Sequence, residues 1–508
     1  MHDKAYRRKS PAVIRMVLWF IPCLLFFPLA AASQNIIWSA PVGDDNQMRY
    51  MKIIGSDEND FYLLRSNIPF QTDPGKKNSK SRRYKLACYT QRMALRWEKT
   101  LAAPVPEGKI LDVRIVDGRL LVSAFLLAKN QPLILYLQFL DASGNYTGIP
   151  VKADELDADN VDDESRPDLL VSKDESLVAL ACRMQREEGG TPKFRIAVCD
   201  NSLTPLYQKE IQPDAGERSF AALDIQLSDS GNIYLLGTVF TAEKKAKTPL
   251  SGNYALLAWR RSNDMLQLHE LSAAGKVLID ASLAVDNLND AAVISGFYSD
   301  NTGSTLSGIF YFSLQSSPLS ASGEVKTSSF SEDFLKKFSS VKKEGKGLVN
   351  YSIDRMLLRK DGGAVMAAES YSTYSNSYYD YYSQMLISHT YYNYGSIMTL
   401  SVNPDGSLLW SDVLNKEHNS TDDEGYYSSY CSAVYGAKMY YIYNKYIETK
   451  TSVMLTTVTS KGDQNTLVLF NQLDNIVAVP RAARQIEQDV LLLPAYKENQ
   501  LCIARIKF

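Results

Sequence analysis

The chain carries one short strand three times, and only the first copy has no strand before it. Ile36-Ile37-Trp38-Ser39-Ala40-Pro41 stands near the start. Leu95-Arg96-Trp97-Glu98-Lys99-Thr100 follows, and Leu408-Leu409-Trp410-Ser411-Asp412-Val413 comes much later. The second and third copies each follow another strand after a short turn. The strand at residues 500–508 has no later partner. A closed ring of sheets accounts for both ends, because the first strand then completes the last sheet. Residues 35–41 are therefore expected to pair with residues 502–507.

The body of the chain repeats one pattern, in which an apolar strand, an Asp/Asn/Gly turn and a second apolar strand follow one another. Asp117-Gly118, Asp174-Glu175, Asp229-Ser230-Gly231-Asn232 and Asp361-Gly362-Gly363 mark such turns. Asx-Gly pairs supply the positive φ that tight hairpins need. A second hairpin follows each first one, so the unit is four strands recurring every roughly 50–80 residues, the period of a β-propeller rather than a sandwich. Units begin near Met51, Ile110, Asp168, Ala221, Leu278, Val349 and Ser432. Residues 475–508 add three strands that residues 35–41 complete. The expected fold is all-β: an eight-bladed propeller spanning 34–508, or seven-bladed if the terminal unit merges with its neighbour. Trp38, Trp97 and Trp410 are its expected structural residues, with Trp97 and Trp410 buried between blades.

One segment departs from the pattern. Ser329-Phe330-Ser331-Glu332 reads as a capping box, with Phe334, Leu335, Phe338 and Val341 at helical spacing and Lys336, Lys337, Lys342 and Lys343 opposite. An inserted amphipathic helix is expected over about 330–344, packed on the propeller or free to dock a partner.

The first residues set the compartment. Lys4, Arg7, Arg8, Lys9 and Arg15 precede an apolar run from Val17 to Leu29 and the small residues Ala30-Ala31-Ala32. This is a secretory signal over 1–33, too short and too rich in proline for a membrane anchor. Export to the periplasm or beyond the cell is expected, with no transmembrane segment in the mature chain, which is expected to be a monomer. The remaining 50 basic and 56 acidic residues leave a net charge of about −6, which argues against a nucleic-acid partner. Cys88, Cys182, Cys199, Cys431 and Cys502 are too sparse for a disulfide framework. They read as buried apolar side chains, with a Cys182–Cys199 bridge as the alternative.

Catalytic signals are few. His269, His389 and His418 are isolated, and no metal spacing, nucleophile elbow or phosphate loop occurs. No cofactor, metal or catalytic residue is assigned. The acidic run over 154–163 reads as a solvated loop, or a loose calcium site, and the basic run over 76–83 as a solvated tip. The most unusual surface is a tyrosine-rich insertion over 371–394. It holds Tyr371, Tyr374, Tyr378, Tyr379, Tyr381 and Tyr382, with Tyr391, Tyr392 and Tyr394 on its return and Glu369 at its start. Tyr426 and Tyr427 lie in the next loop. Tyr with Ser and Asn is a binding-loop composition, but a hairpin stabilised by cross-strand Tyr pairs has the same one. The expected function is a non-enzymatic scaffold that binds an envelope protein or a glycan through its loops. The alternative is a hydrolase or lyase acting on a polysaccharide, with Glu369 the leading carboxylate.

Residues 334–341, Arg359-Lys360-Asp361-Gly362-Gly363-Ala364-Val365-Met366-Ala367-Ala368-Glu369, Val402-Asn403-Pro404-Asp405-Gly406-Ser407-Leu408-Leu409-Trp410, Gly425-Tyr426-Tyr427-Ser428-Ser429-Tyr430 and Tyr440-Tyr441-Ile442-Tyr443-Asn444 stand in a fixed order. In this C-terminal third the chain resembles a family of uncharacterised secreted proteins common in Bacteroidota. That resemblance implies a secreted propeller and no settled activity. The Asp405-Gly406 turn leading to Trp410 also resembles the structural repeat of quinoprotein-like propellers, without their cofactor platform.

Overall fold

The computed structural model describes residues 35–43, 47–70, 82–128, 131–161, 165, 167–184, 192–216, 218–241, 253–300, 304–315, 324–338, 347–382, 384–447 and 450–508. The expected signal segment and the basic run up to residue 81 lie outside them. Eight antiparallel sheets form among these residues, consistent with eight blades. We number them in chain order. Sheets 1 to 7 hold residues 50–101, 109–156, 167–211, 218–270, 277–329, 351–414 and 431–470. Sheet 8 holds residues 476–507 together with the first strand, Asn35–Trp38.

That first strand lies antiparallel to Gln500–Lys507, with Asn35 opposite Lys507 and Trp38 opposite Ala504. Beyond it the Ser39 N–H donates to the Ile503 carbonyl at 2.9 Å, and the Val42 N–H to the Leu501 carbonyl at 2.7 Å. The first strand thus completes the last sheet from outside, as the repeated Trp strand predicts.

Burial follows strand position. Within the ring the second strands are walled in on both faces: all seven residues of Asp60–Ser66 and all nine of Ala291–Ser299 are buried. Outer strands such as Leu95–Leu101 alternate instead. Eight apolar clusters form, and each spans one seam between neighbouring sheets. The seam that closes the ring joins Met51, Ile53 and Phe61 of sheet 1 to Leu492 and Ile503 of sheet 8. Each large side chain so buried contributes about 1.5–3 kcal/mol, and a sheet taken alone would leave both faces wet. The innermost strands adjoin one another around a central channel; between sheets 6 and 7 the link is Arg355 Nη1 to the Ser432 carbonyl at 2.9 Å.

Three expectations are corrected, and one alternative falls. The helix is a single turn, Glu332–Leu335, capped by Ser331 Oγ, which accepts from the Phe334 N–H; Ser329 belongs to the preceding strand. Phe330, Phe334 and Phe338 fill the seam between sheets 5 and 6, and residues 339–346 lie outside the described residues. The acidic run is not all solvated loop: Asp154 is buried in the strand Val151–Leu156, where Arg195 Nε donates to it at 3.1 Å. The alternative Cys182–Cys199 bridge does not form: both cysteines are buried, as the main reading has them, and they stand out of register, opposite Arg195 and Val178 respectively. Trp97 and Trp410 are half-buried rather than buried, and Trp38 is half-buried as well.

Trp97 and Trp410 lean on the outer turn of the following sheet. Their indole N–H groups donate to the Ala142 and Ser460 carbonyls at 2.8 and 2.9 Å. Their rings lie over Gly144 and Gly462, both at positive φ, where a Cβ would stand within 2.6 and 3.0 Å of the indole. Trp38 faces the other way, against Phe470 of sheet 7 at 5.3 Å. The two hairpin-borne copies follow a register shift that the first copy lacks, and such a shift moves a side chain to the opposite face.

Candidate functional site

In sheet 6 the second and third strands, Ala364–Asp380 and Met385–Val402, run far beyond the ring as one antiparallel ribbon. They rise from the face that carries the connections between sheets, here called the upper face. The β-branched and aromatic content suits an extended pair, and the period of two sorts the side chains. One ribbon face carries Tyr371, Thr373, Ser375, Ser377 and Tyr379, opposite Tyr394, Tyr392, Thr390, Ser388 and Leu386. Ser375 and Thr390 share a hydrogen bond at 2.9 Å, and Ser377 donates to Ser388 at 3.0 Å. The other face stacks Tyr374 on Tyr391, with centroids 4.8 Å apart, and Tyr378 on His389 at 5.9 Å. Cross-strand aromatic pairs of this kind add about 0.5–1.5 kcal/mol each. The tip is open to solvent: Tyr381 is 83% and Tyr382 100% exposed, beside exposed Met385 and Leu386.

A third strand, His418–Thr421, pairs with the base of the ribbon at Tyr391 to Tyr394. Above it His389 Nδ1 lies 2.6 Å from Asp422 Oδ2. The chain then crosses the upper face toward sheets 8 and 1. Tyr426 is buried there, its OH donating to the Arg49 carbonyl at 3.0 Å and the Arg49 guanidinium 4.8 Å from its ring centroid. Tyr427 packs edge-on against Tyr496. These two tyrosines, read from sequence as part of one surface with the ribbon, instead hold down an arch.

Beneath ribbon and arch lies a buried polar network. Glu369 sits within the long strand, and Lys416 Nζ lies against its Oε1, the two side chains being 4% and 1% exposed. Ser429 Oγ donates to Glu369 Oε2 at 2.5 Å. Burial pulls the Lys416 ammonium below its ordinary value, and the charge of Glu369 opposes that pull. His418 Nδ1 accepts the Ser429 N–H at 3.2 Å, so its Nε2–H donates to the Asn444 carbonyl at 2.7 Å. Burial, then the Lys416 charge, holds the imidazole down to about 3. Asn444 in turn bonds the Tyr427 and Ala478 carbonyls through Nδ2, at 2.8 and 2.9 Å, and accepts the Ala478 N–H. The network ties strand, arch and sheet 8 together. Both nitrogens of His418 and both oxygens of Glu369 are engaged, so neither is placed as an accessible base or nucleophile. The pair is a latch whose desolvation is offset only while both partners stay.

The network reaches the channel through Tyr430, whose OH donates to Asp354 Oδ2 at 3.0 Å. Desolvation, then the Glu369 charge, pushes the Asp354 carboxyl up to about 7. Asp354 belongs to a series that the sequence reading passed over. Asp112, Asp168, Asp224 and Asp280 occupy the innermost strands of sheets 2 to 5 at an even spacing of 56 residues, and Asp354 follows the insertion after sheet 5. In sheets 2, 4 and 5 the aspartate lies at a register shift of its strand, and in sheet 6 Asp354 falls within one. The even spacing was the available signal.

No group of three or more His, Cys, Asp or Glu among the described residues is placed to hold a metal ion, and no helix among them is long and apolar enough to cross a membrane. His269 is held below its ordinary value, by burial first and then by Arg260.

No protein-family model matches the chain, and no curated protein matches it. Solved structures that resemble it include a WD40 domain, a β-propeller domain and a peptidase. The WD40 domain of SCAP from fission yeast is 10% identical with a TM-score of 0.41, over 94% of this chain and 95% of that one. The β-propeller domain of the Trilobed protease from Pyrococcus furiosus is 8% identical with a TM-score of 0.33, over 84% and 98%. Pyrococcus horikoshii acylaminoacyl peptidase is 10% identical with a TM-score of 0.37, over 89% and 59%. At these identities the likeness concerns fold alone.

Proposed function

We propose that this propeller is an exported, non-enzymatic scaffold, working in the periplasm or outside the cell, that binds a protein or glycan partner through its tyrosine ribbon. The observation that carries the reading is the ribbon itself. It extends the two middle strands of one sheet into solvent and exposes rings and hydroxyls that its own core does not use. Rigid aromatic anchors with adaptable Ser and Asn groups suit a recognition surface. The latch below fixes the ribbon's base, which lowers the ordering cost of binding. Glu369, the leading carboxylate for a polysaccharide-acting enzyme, is locked in that latch, which weakens the enzymatic alternative.

Replacing Tyr378, Tyr379, Tyr381 and Tyr382 together with Ser tests the reading. The expected variant melts like the wild type and loses binding on a glycan array or to a purified envelope partner. The two assays separate glycan from protein. Unaltered binding places recognition elsewhere.

A further inference from the structure

The channel wall divides into two sectors of opposite charge. The innermost strands of sheets 8, 1 and 2, Arg484–Glu487, Tyr50–Ser56 and Lys109–Val116, adjoin in that order. They bring together Arg484, Lys52 and Arg114, with Arg49 and Arg481 at the upper mouth. Asp112 answers two of these cations, with Lys52 Nζ at 2.7 Å and Arg114 Nε at 2.8 Å. Glu424 stands at the rim, on the Tyr50 hydroxyl. Glu175 approaches from below, its carboxylate accepting the Asp117 N–H at 2.6 Å. Positive charge is left over.

Arg484 is the clearest part of that excess. Its guanidinium makes no hydrogen bond or ion pair with any described residue. It is exposed to solvent, and partial desolvation beside its neighbours, then the charge of Arg114, pulls it below its ordinary value. The opposite sector is acidic: Asp224 accepts from Gln226, Asp280 from the Ile353 N–H at 2.8 Å, and Asp354 from Tyr430. None of these three has an ion-pair partner among the described residues. Above the basic sector a cavity of about 230 Å³ is lined by Tyr50, Lys52, Phe70, Tyr426 and Arg481, with Lys52 Nζ 5.0 Å from the Phe70 centroid.

We propose that the basic sector is a binding site for one anionic group, a carboxylate or phosphate carried by a small ligand, with Arg484 as principal contact and Arg114 beside it. A free guanidinium fork matches either group through two parallel N–H donors. The facing carboxylates reject a second anion and favour a ligand whose far side carries hydroxyl or amino donors. The site stands apart from the ribbon, so each reading can fail without the other.

Calorimetric titration of the mature protein at low salt, with galacturonate, inorganic phosphate and neutral galactose, tests this. The expected result is binding of galacturonate, phosphate or both at least about tenfold tighter than galactose. The preferred anion tells carboxylate from phosphate. Arg484→Gln should lose that binding by about tenfold or more, while the four-tyrosine variant keeps it. Should Arg484→Gln fail to melt cooperatively, Arg484→Lys, which retains charge but not the fork, should weaken binding by about threefold. Neither anion binding better than galactose, or unchanged affinity in the folded arginine variant, overturns the proposal.

Discussion

Asp112 in sheet 2 and Asp354 in sheet 6 stand at related positions on innermost strands, and their carboxyls are driven in opposite directions. Asp112 meets Lys52 and Arg114, and these neighbours hold it below its ordinary value against the pull of burial. Asp354 meets a tyrosine hydroxyl and the charge of Glu369, and is raised to about 7. The repeat fixes where the carboxyl stands, and the neighbouring elements decide its chemistry. Sheet 2 keeps short connections to its neighbours. Sheet 6 carries the ribbon, a short helix before it and a buried latch beneath it. The regular sheet supplies the frame and the irregular one the specialised surface.

This contrast can be broken in several places. The largest effect belongs to the frame: deleting residues 35–42 strips the outer strand of sheet 8 and should abolish a cooperative melt, measured by circular dichroism. Next comes the latch. Lys416→Ala leaves Glu369 buried and unpaired and should cost about 3–5 kcal/mol. The half-exposed Lys52 of sheet 1, which pairs with Asp112 of sheet 2, should cost about 1 kcal/mol or less on the same change. Equal losses in denaturant titrations would erase the distinction. Trp410→Ala should cost about 2–3 kcal/mol, less than the 3–5 of a fully buried aromatic, because the indole is half-exposed.

The smallest effect is the most specific. A raised carboxyl stabilises the fold fully below its unfolded value and loses that contribution as pH climbs toward the folded one. Asp354→Asn should therefore raise the melting temperature at pH 8 relative to wild type, and do less at pH 5. A depressed carboxyl stabilises above its unfolded value and loses that as pH falls. Asp112→Asn should therefore lower the melting temperature at pH 7, with the deficit shrinking toward pH 3. Parallel pH profiles for the two variants would contradict the opposed environments.

Much of the frame was legible because its signals are local. Asx-Gly turns and apolar runs placed the sheet beginnings close to where they lie; Ile110 and Asp168, for example, each fall one residue inside their first strands. The stacking of ribbon tyrosines was legible as one of two alternatives, since cross-strand pairing follows from a symmetric hairpin. The latch was not. Ser429 lies 60 residues from Glu369, and Tyr430 lies 76 from Asp354. No local spacing links residues that only ring closure and the arch bring together. The orientation of Trp38 was missed because its strand arrives without a turn, so the bulge that aims the other two is absent. The aspartate series was missed for the opposite reason: each member comes five to seven residues ahead of another acid, at or near the following turn, and only the spacing sets it apart.

The central claim is that the ribbon is an addition to a self-sufficient ring and carries its recognition. Thr373 and Tyr392 face each other across the ribbon, so residues 374–391 can be replaced by an Asn-Gly turn that joins the two strands directly. The direct measurement is melting temperature and partner or glycan binding of this shortened chain beside the wild type. The account predicts an unchanged cooperative melt with binding lost. A chain that no longer folds, or one that folds and binds as before, would contradict it.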